Sequence, residues 1–262
     1  RSLLDDADMG TALSRSGPRR GGPHAPTRGT ADAPPRPARR SNRVGPRLDA
    51  DDLRAFGTKL RAWYRRHARD LPWRRTRDPY AILVSELMLQ QTQVSRVIDF
   101  YHRFLDRFPT VETLAKARES QVVAQWEGLG YYARARNLHK LSRAVVREGF
   151  PTEADQLRQL PGIGPYTAGA VATFAFERRA PLVDTNVARV LTRVFAPRLH
   201  PKRARDQKAI WAIAEATLPR AGRAAWTHNQ ALMELGALVC TARVKHCGRC
   251  PVRGLCKSRD QV

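Results

Sequence analysis

The chain has 262 residues, of which 47 are Lys or Arg and 24 are Asp or Glu, so its formal net charge is +23 at pH 7. This surplus favours a polyanionic partner such as nucleic acid, although an arginine-rich solvated surface gives the same count. No run of 18 apolar residues and no apolar core of a signal peptide is visible, so we expect neither a membrane span nor a secreted protein.

Residues 1–48 are rich in Pro, Gly and Arg and poor in large apolar side chains. Ten arginines and four aspartates give this stretch a charge of +6. Because so little apolar surface can offset the entropy lost on ordering, we predict a disordered basic tail. The tail either adds nonspecific affinity for DNA or has no role in binding.

From residue 49 onward, apolar residues recur at helical spacing. The stretch DLRAFGTKLRAWYRRHA places them three and four positions apart, and residues 80–108 form one long apolar-periodic run. The candidate strand APLVD, residues 180–184, is too short to require a sheet. The sequence therefore predicts an all-α fold of about ten helices.

The stretch LPGIGPYTAGA, residues 160–170, follows a predicted helix over residues 153–160. Gly162 and Gly164 permit a tight turn and a close approach of another backbone. Amide groups at the start of the next helix can then point at a phosphate oxygen. We interpret the stretch as a helix-hairpin-helix that binds DNA without reading its sequence, with an ordinary packing joint as the alternative.

All four cysteines lie near the C-terminus, at Cys240, Cys247, Cys250 and Cys256. The clustering indicates a metal centre in a reducing compartment rather than a disulfide scaffold. The spacing C-x6-C-x2-C-x5-C favours a [4Fe–4S] cluster, whereas structural zinc more often shows two C-x2-C pairs and remains the alternative. The surrounding loop is strongly basic, which suits either contact with a DNA backbone or compensation of thiolate charge.

The hairpin, the stretch VDTNVARVL and the cysteine spacing together resemble the endonuclease III (HhH-GPD) superfamily of DNA glycosylases. The stretches LPWR, SELMLQQTQV and EGLGYYARARNLHK resemble, within it, the A/G-specific adenine DNA glycosylases, the MutY family, over about residues 52–257. The resemblance implies two helical lobes with the active site between them. We expect a glycosylase domain over residues 49–239, with a hairpin lobe at about 77–185, and an iron–sulfur loop over residues 240–262.

The resemblance also implies a monofunctional enzyme of base excision repair. It would flip adenine mispaired with guanine or 8-oxoguanine out of double-stranded DNA and hydrolyse its N-glycosidic bond. We expect a monomer in a bacterial cytoplasm, associated with the nucleoid. The alternatives are a thymine glycosylase acting on G·T mismatches and a noncatalytic iron–sulfur protein that binds DNA.

Members of that family usually carry a C-terminal domain related to Nudix hydrolases that helps to recognise 8-oxoguanine. The present sequence ends six residues after Cys256. We therefore expect this domain to be missing and affinity for the lesion pair to be reduced.

Two carboxyl groups are candidates for different catalytic roles. Glu86 lies in a run that is apolar on almost all sides, so burial should keep it protonated and suited to general acid catalysis. Asp184 lies at a predicted helix N-cap, where amides and the helix dipole favour a charged carboxylate. A buried ion pair and a simple cap are the respective alternatives. The resemblance implies that Glu86 protonates adenine at N7 and positions water, and that Asp184 stabilises the cationic sugar.

The resemblance assigns further roles at the reacting centre. Tyr166 occupies the position of the lysine that forms a Schiff base in lyase members, and a phenol cannot form an imine, so we expect no strand cleavage. Tyrosine there is compatible with both adenine and thymine removal. Asn186 matches an asparagine that binds the carboxylate or water, with Thr185 where the family usually has glycine.

Recognition of the flipped base rests on a second group of residues that the resemblance implies. Gln91 and Tyr132 are expected to wedge into the gap in the duplex. Trp73 is expected to pack on the base, unless it belongs to the core, and Arg74 and Glu234 are expected to bind its edge. The predicted pocket comprises Arg69, Trp73, Arg74, Leu89 and Glu234.

Overall fold

Eleven α-helices and three single-turn 3₁₀ helices form the regular structure of residues 48–259, the part of the chain that this computed structural model describes. The helices are α1 (Ala50–His67), α2 (Pro79–Leu89), α3 (Val94–Arg107), α4 (Val111–Lys116), α5 (Glu119–Gln125), α6 (Ala133–Glu148), α7 (Ala154–Leu157), α8 (Pro165–Phe176), α9 (Thr185–Phe195), α10 (Ala204–Thr217) and α11 (Gly222–Leu238). The 3₁₀ turns lie at Pro72–Arg74, Cys247–Arg249 and Arg253–Leu255. Over residues 48–259 there is no strand, only an isolated bridge between Cys240 and Lys245, so the predicted all-α fold is confirmed.

The predicted basic tail, residues 1–48, lies outside the described residues except for Leu48. The domain boundaries at residues 49, 239 and 240 stay predictions. Between residues 48 and 259, no helix is long and apolar enough to cross a membrane.

The helices form two lobes. In the first, α2 packs against α3, α6 and α8, while α4 and α5 pack against α6 and α7 packs against α8. In the second, α11 packs against α1 and α9, and α10 packs against α9 and α1. The lobes meet where α8 contacts α11 and where α2 contacts the turn at Pro72–Arg74. Side chains from both lobes can therefore face one cleft.

Helices α2 and α8 form the buried centre of the first lobe. Every residue from Tyr80 to Met88 is buried, and so is every residue from Thr167 to Phe174. A helix that is apolar all round is stable in water only when its neighbours cover it on all sides. The predicted burial of Glu86 is thus a property of the whole helix on which it lies.

The long run over residues 80–108 is not one helix, because α2 ends at Leu89 and α3 begins at Val94. The guanidinium of Arg134, from α6, donates to the carbonyl oxygens of Leu87 at 2.7 Å and Met88 at 2.9 Å. These carbonyls belong to the last turn of α2, where no amide of the same helix can reach them. A cation at a helix C-terminus also suits the helix dipole. Arg134 therefore fixes the end of α2, which periodicity could not reveal.

One shorter prediction also differs from the structure. The helix predicted over residues 153–160 is a single turn, α7, after which Gln159 and Leu160 close tighter turns with N–O distances of 3.0 and 3.1 Å. Pro161 follows at once and disfavours helical torsions in the residue before it. The candidate strand over residues 180–184 is extended but pairs with no other strand in the described range.

Removal of the Arg134 side chain should destabilise the fold, because it leaves carbonyl groups of the buried α2 terminus without donors. Arg134 is 7% exposed. We expect Arg134→Met to lower the free energy of unfolding by about 2–3 kcal/mol in urea titrations. Arg147→Met on the same helix, where the side chain is 69% exposed, should change it by less than about 0.5 kcal/mol. Equal losses in the two variants would contradict this account of the α2 terminus.

Candidate active site

A cavity of about 570 Å³ lies between the two lobes and is lined by residues of α2, α8, α9, α11 and the segment before α2. Its volume falls within the range of small-ligand pockets. Most of the residues that the sequence pointed to line it: Arg69, Trp73, Arg74, Glu86, Leu89, Gln91, Tyr166, Asp184, Asn186 and Glu234. The cavity does not include Tyr132, Gly162, Gly164 or the cysteines.

Glu86 projects from the buried helix α2 into this cavity. The residue is 5% exposed, and within the described part of the chain its Oε2 atom has no hydrogen-bond partner. Burial is the main cause that raises the pKa of Glu86 to about 7; the Tyr166 hydroxyl opposes the shift, and the charge of Asp184 adds to it. A carboxyl group with this pKa can deliver a proton at neutral pH.

Tyr166 lies in the first turn of α8, beside Glu86. Its hydroxyl is 3.3 Å from Met233 Sδ and is also close enough to Glu86 to lower the pKa of that carboxyl in part. The carboxyl is the stronger acceptor of the two, because a thioether sulfur accepts only weakly. Burial, followed by the charges of Glu86 and Asp184, raises the pKa of Tyr166 well above its ordinary value, so the phenol keeps its proton.

Asp184 is the N-cap of α9, as the sequence predicts. Its Oδ1 accepts from the Val187 amide at 2.7 Å, and its Oδ2 accepts from Asn186 Nδ2 at 2.9 Å. Asn186 Oδ1 in turn accepts from Arg189 Nη2 at 2.7 Å. Donors to both oxygens stabilise a carboxylate. Thr185, the departure from the family pattern, is exposed and lies at the cavity edge.

Glu234 lines the cavity, but its side chain is fully buried and both carboxylate oxygens are engaged. Arg69 donates to them from its backbone amide, Nε and Nη2 at 2.7–2.9 Å, and Arg74 Nη2 donates at 2.9 Å. Burial raises the pKa of Glu234, but the hydrogen bonds from Arg69 and Arg74 outweigh it and hold that pKa at about 2. The expectation that Glu234 binds a base edge stays a prediction; in this structure its oxygens accept from two arginines.

The two remaining residues of the predicted pocket, Trp73 and Leu89, are apolar. Trp73 lines the cavity but is almost entirely buried, and its ring packs edge to face against Tyr101 with 5.5 Å between centroids. Leu89, the last residue of α2, is half-buried at the cavity wall. Trp73 thus belongs to the core and also lines the cavity, so both interpretations that the sequence left open apply to it.

A second groove of about 620 Å³ adjoins the turn after α2 and contains Gln91 and Tyr132 together with Tyr131. Gln91 lines both this groove and the cavity, and its φ of 58° is left-handed. Tyr131 has a φ of 49° and is 60% exposed. Tyr131 was not singled out from the sequence, although the pair of tyrosines after Gly-Leu-Gly was a visible signal.

The hairpin turn has the geometry that its glycines predict. Gly162 has a φ of 77°, and a Cβ there would lie 2.7 Å from Asn137 Cβ. A Cβ on Gly164, by contrast, would meet no described atom within 4 Å, and no described side chain caps the first amides of α8. Among the described residues, the helix start after the hairpin therefore has amides that no side chain caps.

The four cysteines line a cavity of about 200 Å³ beyond α9. Arg193 Nη1 lies 3.2 Å from Cys240 Sγ, and Arg189 Nε donates to the Cys240 carbonyl at 2.8 Å. Burial, with added repulsion from the other three cysteines, raises the pKa of Cys250 to about 11. In the described residues no three His, Cys, Asp or Glu side chains are arranged to hold a single metal ion.

Comparison with known proteins bears on these features. The family model of the HhH-GPD superfamily of base excision DNA repair proteins matches residues 84–215. The chain is 43% identical over 226 residues to the adenine DNA glycosylase of Homo sapiens, covering 82% of this chain and 41% of that relative. It is 43% identical over 216 residues to the adenine DNA glycosylase of Mycobacterium tuberculosis, covering 80% of this chain and 67% of that relative. The chain thus spans less than half the length of the human relative.

Solved structures agree in fold. A thermostable thymine-DNA glycosylase superposes with a TM-score of 0.74 at 30% identity, covering 82% of this chain and all of that chain. Endonuclease III in a noncovalent DNA complex gives a TM-score of 0.67 at 22% identity, with 82% and 98% coverage, which shows the fold alone. The chain belongs to the HhH-GPD superfamily of base excision DNA repair proteins and, within it, to the adenine DNA glycosylase (MutY) family.

Proposed function

We propose that the chain is a monofunctional adenine DNA glycosylase that acts on adenine mispaired with guanine or 8-oxoguanine. The observation that carries the proposal is the Glu86 carboxyl, buried with an unpartnered oxygen among the described residues and a pKa of about 7, in the same cavity as the Asp184 carboxylate. One neutral and one charged carboxyl group at a glycosidic bond form the usual apparatus of glycoside hydrolysis.

In this mechanism Glu86 gives its proton to N7 of the flipped adenine. The bond between C1′ and N9 breaks with its electron pair moving to the base, which leaves as neutral adenine. The Asp184 carboxylate stabilises the cationic sugar. Water then attacks C1′ and returns a proton to the Glu86 carboxylate, which leaves an abasic site. Tyr166 offers no amine, so no imine forms and the strand stays intact.

The base removed is proposed to be adenine rather than thymine. Relatives named adenine DNA glycosylases reach 44% identity, whereas the solved thymine-DNA glycosylase reaches 30%. Double-stranded DNA is the proposed partner, bound through the uncapped hairpin amides. Gln91 and the exposed tyrosines of the adjoining groove are proposed to occupy the gap that flipping opens.

The cysteines Cys240, Cys247, Cys250 and Cys256 are proposed to hold a [4Fe–4S] cluster. Four thiols lie around one cavity, where burial and the three other cysteines raise the pKa of Cys250. Such a set ionises together only with compensating positive charge, which a metal centre supplies. Arg193 beside Cys240 suits the residual negative charge of a ligated cluster. When bound, the group would cross-link the C-terminal loop to the end of α11, which Cys240 follows.

The base specificity is tested with labelled duplexes that contain A·8-oxoguanine, A·G or G·T, each treated with alkali after incubation. We expect strand breaks only at adenine and only after alkali, because base removal alone leaves an alkali-labile site. Breaks at thymine would establish the mismatch thymine reading, and breaks before alkali would overturn the assignment of Tyr166.

The same assay isolates the proton donor. Glu86→Gln should slow single-turnover excision by about 10²–10⁴-fold, the usual contribution of a general acid. Glu148→Gln, an exposed carboxyl at the end of α6, should leave the rate unchanged. If Glu86→Gln matched the wild type, the chain would be a binding protein and the catalytic proposal would be wrong.

The pH dependence follows from the raised pKa of Glu86. Below about 7 the donor keeps its proton, and above it the single-turnover excision rate should fall about tenfold for each pH unit. For stability, the folded pKa lies above the ordinary 4.5, so a stabilising contribution is complete below 4.5 and is lost as pH rises to about 7. Urea titrations across this window should show wild type losing stability relative to Glu86→Gln. Parallel curves would contradict burial of a neutral acid.

Metal analysis decides between the two centres. Purified protein should contain iron and acid-labile sulfide and absorb in the visible range, all of which Cys250→Ser should diminish. If protein prepared without oxygen contained zinc and no sulfide, the cluster proposal would be wrong and the cysteines would form a structural zinc site.

A further inference from the structure

A third groove of about 450 Å³ lies on the other side of Asp184 and Thr185, which line both it and the active-site cavity. Across from these two residues, the groove is lined by His200 and Lys202 from the loop between α9 and α10, and by Arg189. Thr185 therefore stands on a ridge between the catalytic cavity and a basic groove.

The loop that carries His200 and Lys202 is held in place by its own hydrogen bonds. The His200 amide donates to Asp206 Oδ2 at 2.9 Å, and the Arg203 amide donates to the His200 carbonyl at 3.0 Å. The Lys202 amide donates to His200 Nδ1 at 3.3 Å. In a neutral imidazole an Nδ1 that accepts leaves the proton on Nε2. The loop thus fixes His200 as an Nε2–H donor.

The charge of this groove is positive. Asp184 is the one acidic residue among the described residues that line it, and both of its oxygens already accept hydrogen bonds. Arg189 contributes charge, but its donors are used on Asn186, Gly236 and Cys240. Lys202 and His200 remain as the exposed cationic and donor side chains.

We propose that this groove binds a backbone phosphate attached to the sugar of the excised nucleotide, with Lys202 and His200 Nε2–H donating to its oxygens. The proposal rests on the proposed function, which places C1′ of that sugar beside Asp184. The phosphates at O3′ and O5′ belong to the same sugar, so one must emerge next to the ridge at Thr185. A phosphate held there resists withdrawal of the flipped nucleotide from the cavity.

This contact differs from the diffuse attraction that a charge of +23 produces. Nonspecific attraction acts on every phosphate, whereas the groove selects one phosphate relative to the flipped nucleotide. The groove would bind the strand at a second point in addition to the hairpin amides. It would thereby fix the position of the sugar relative to Asp184.

The test measures binding to a duplex with a tetrahydrofuran abasic analogue, which does not depend on excision. A neutral methylphosphonate replaces one phosphate at a time on either side of the analogue. Wild type should bind about tenfold more weakly when the methylphosphonate replaces one particular flanking phosphate. Lys202→Ala should bind the unmodified duplex about tenfold more weakly, reduce the salt dependence by about one ion, and lose nothing further at that phosphate. Lys202→Arg should restore the sensitivity.

Lys208→Ala is the matched control, since it removes the same charge from exposed α10 outside the groove, and it should keep the wild-type pattern. If the losses from Lys202→Ala and from the methylphosphonate add at every position, the groove does not bind a phosphate. Absence of base excision by wild type would instead refute the proposed function, because this binding pattern does not require excision.

Discussion

The carboxyl of Glu86 is buried in the middle of an apolar helix, and the surrounding site is arranged around that constraint. An ionised carboxylate in such a place costs several kcal/mol unless it is paired, so the neutral form persists to about pH 7. Tyr166 beside it is also kept neutral. Asp184 faces the same cavity from a helix start that supplies it with donors. Two carboxyl groups thus face one cavity from different surroundings, because one is buried within a helix and the other accepts hydrogen bonds at a helix start.

The fold also controls which cations act on this pair. Arg74 lines the cavity and would hold Glu86 ionised if its charge were free, since a nearby guanidinium lowers a carboxyl pKa. Instead Arg74 and Arg69 bind Glu234, which neutralises much of their field. Arg134 donates to the carbonyls of α2, and Arg189 to carbonyls of α11 and Cys240. Arg74 lowers the pKa of Glu86 only in part, and its guanidinium is paired with the Glu234 carboxylate.

Sequence patterns identified those features of the site that are determined by residues nearby in the chain. Burial of Glu86 followed from an apolar run, the cap at Asp184 from a break between extended chain and helix, and the Gly162 turn from its spacing. Partners distant in sequence were out of reach, because nothing in a linear pattern pairs Arg69 with Glu234 or Arg134 with the α2 terminus. The position of the α2 terminus within residues 80–108 depends on such a distant partner. Periodicity assigns no role to side chains such as Gln91. The roles expected for them came from the resemblance to a known family.

Among the described residues, Gln91 and Tyr131 are two of the three non-glycine residues with positive φ, and both line one groove. Left-handed torsions are unfavourable for such side chains, so the surrounding structure must hold them there before any ligand arrives. On the proposed function, a DNA duplex would meet these two side chains without any refolding of the turns that carry them.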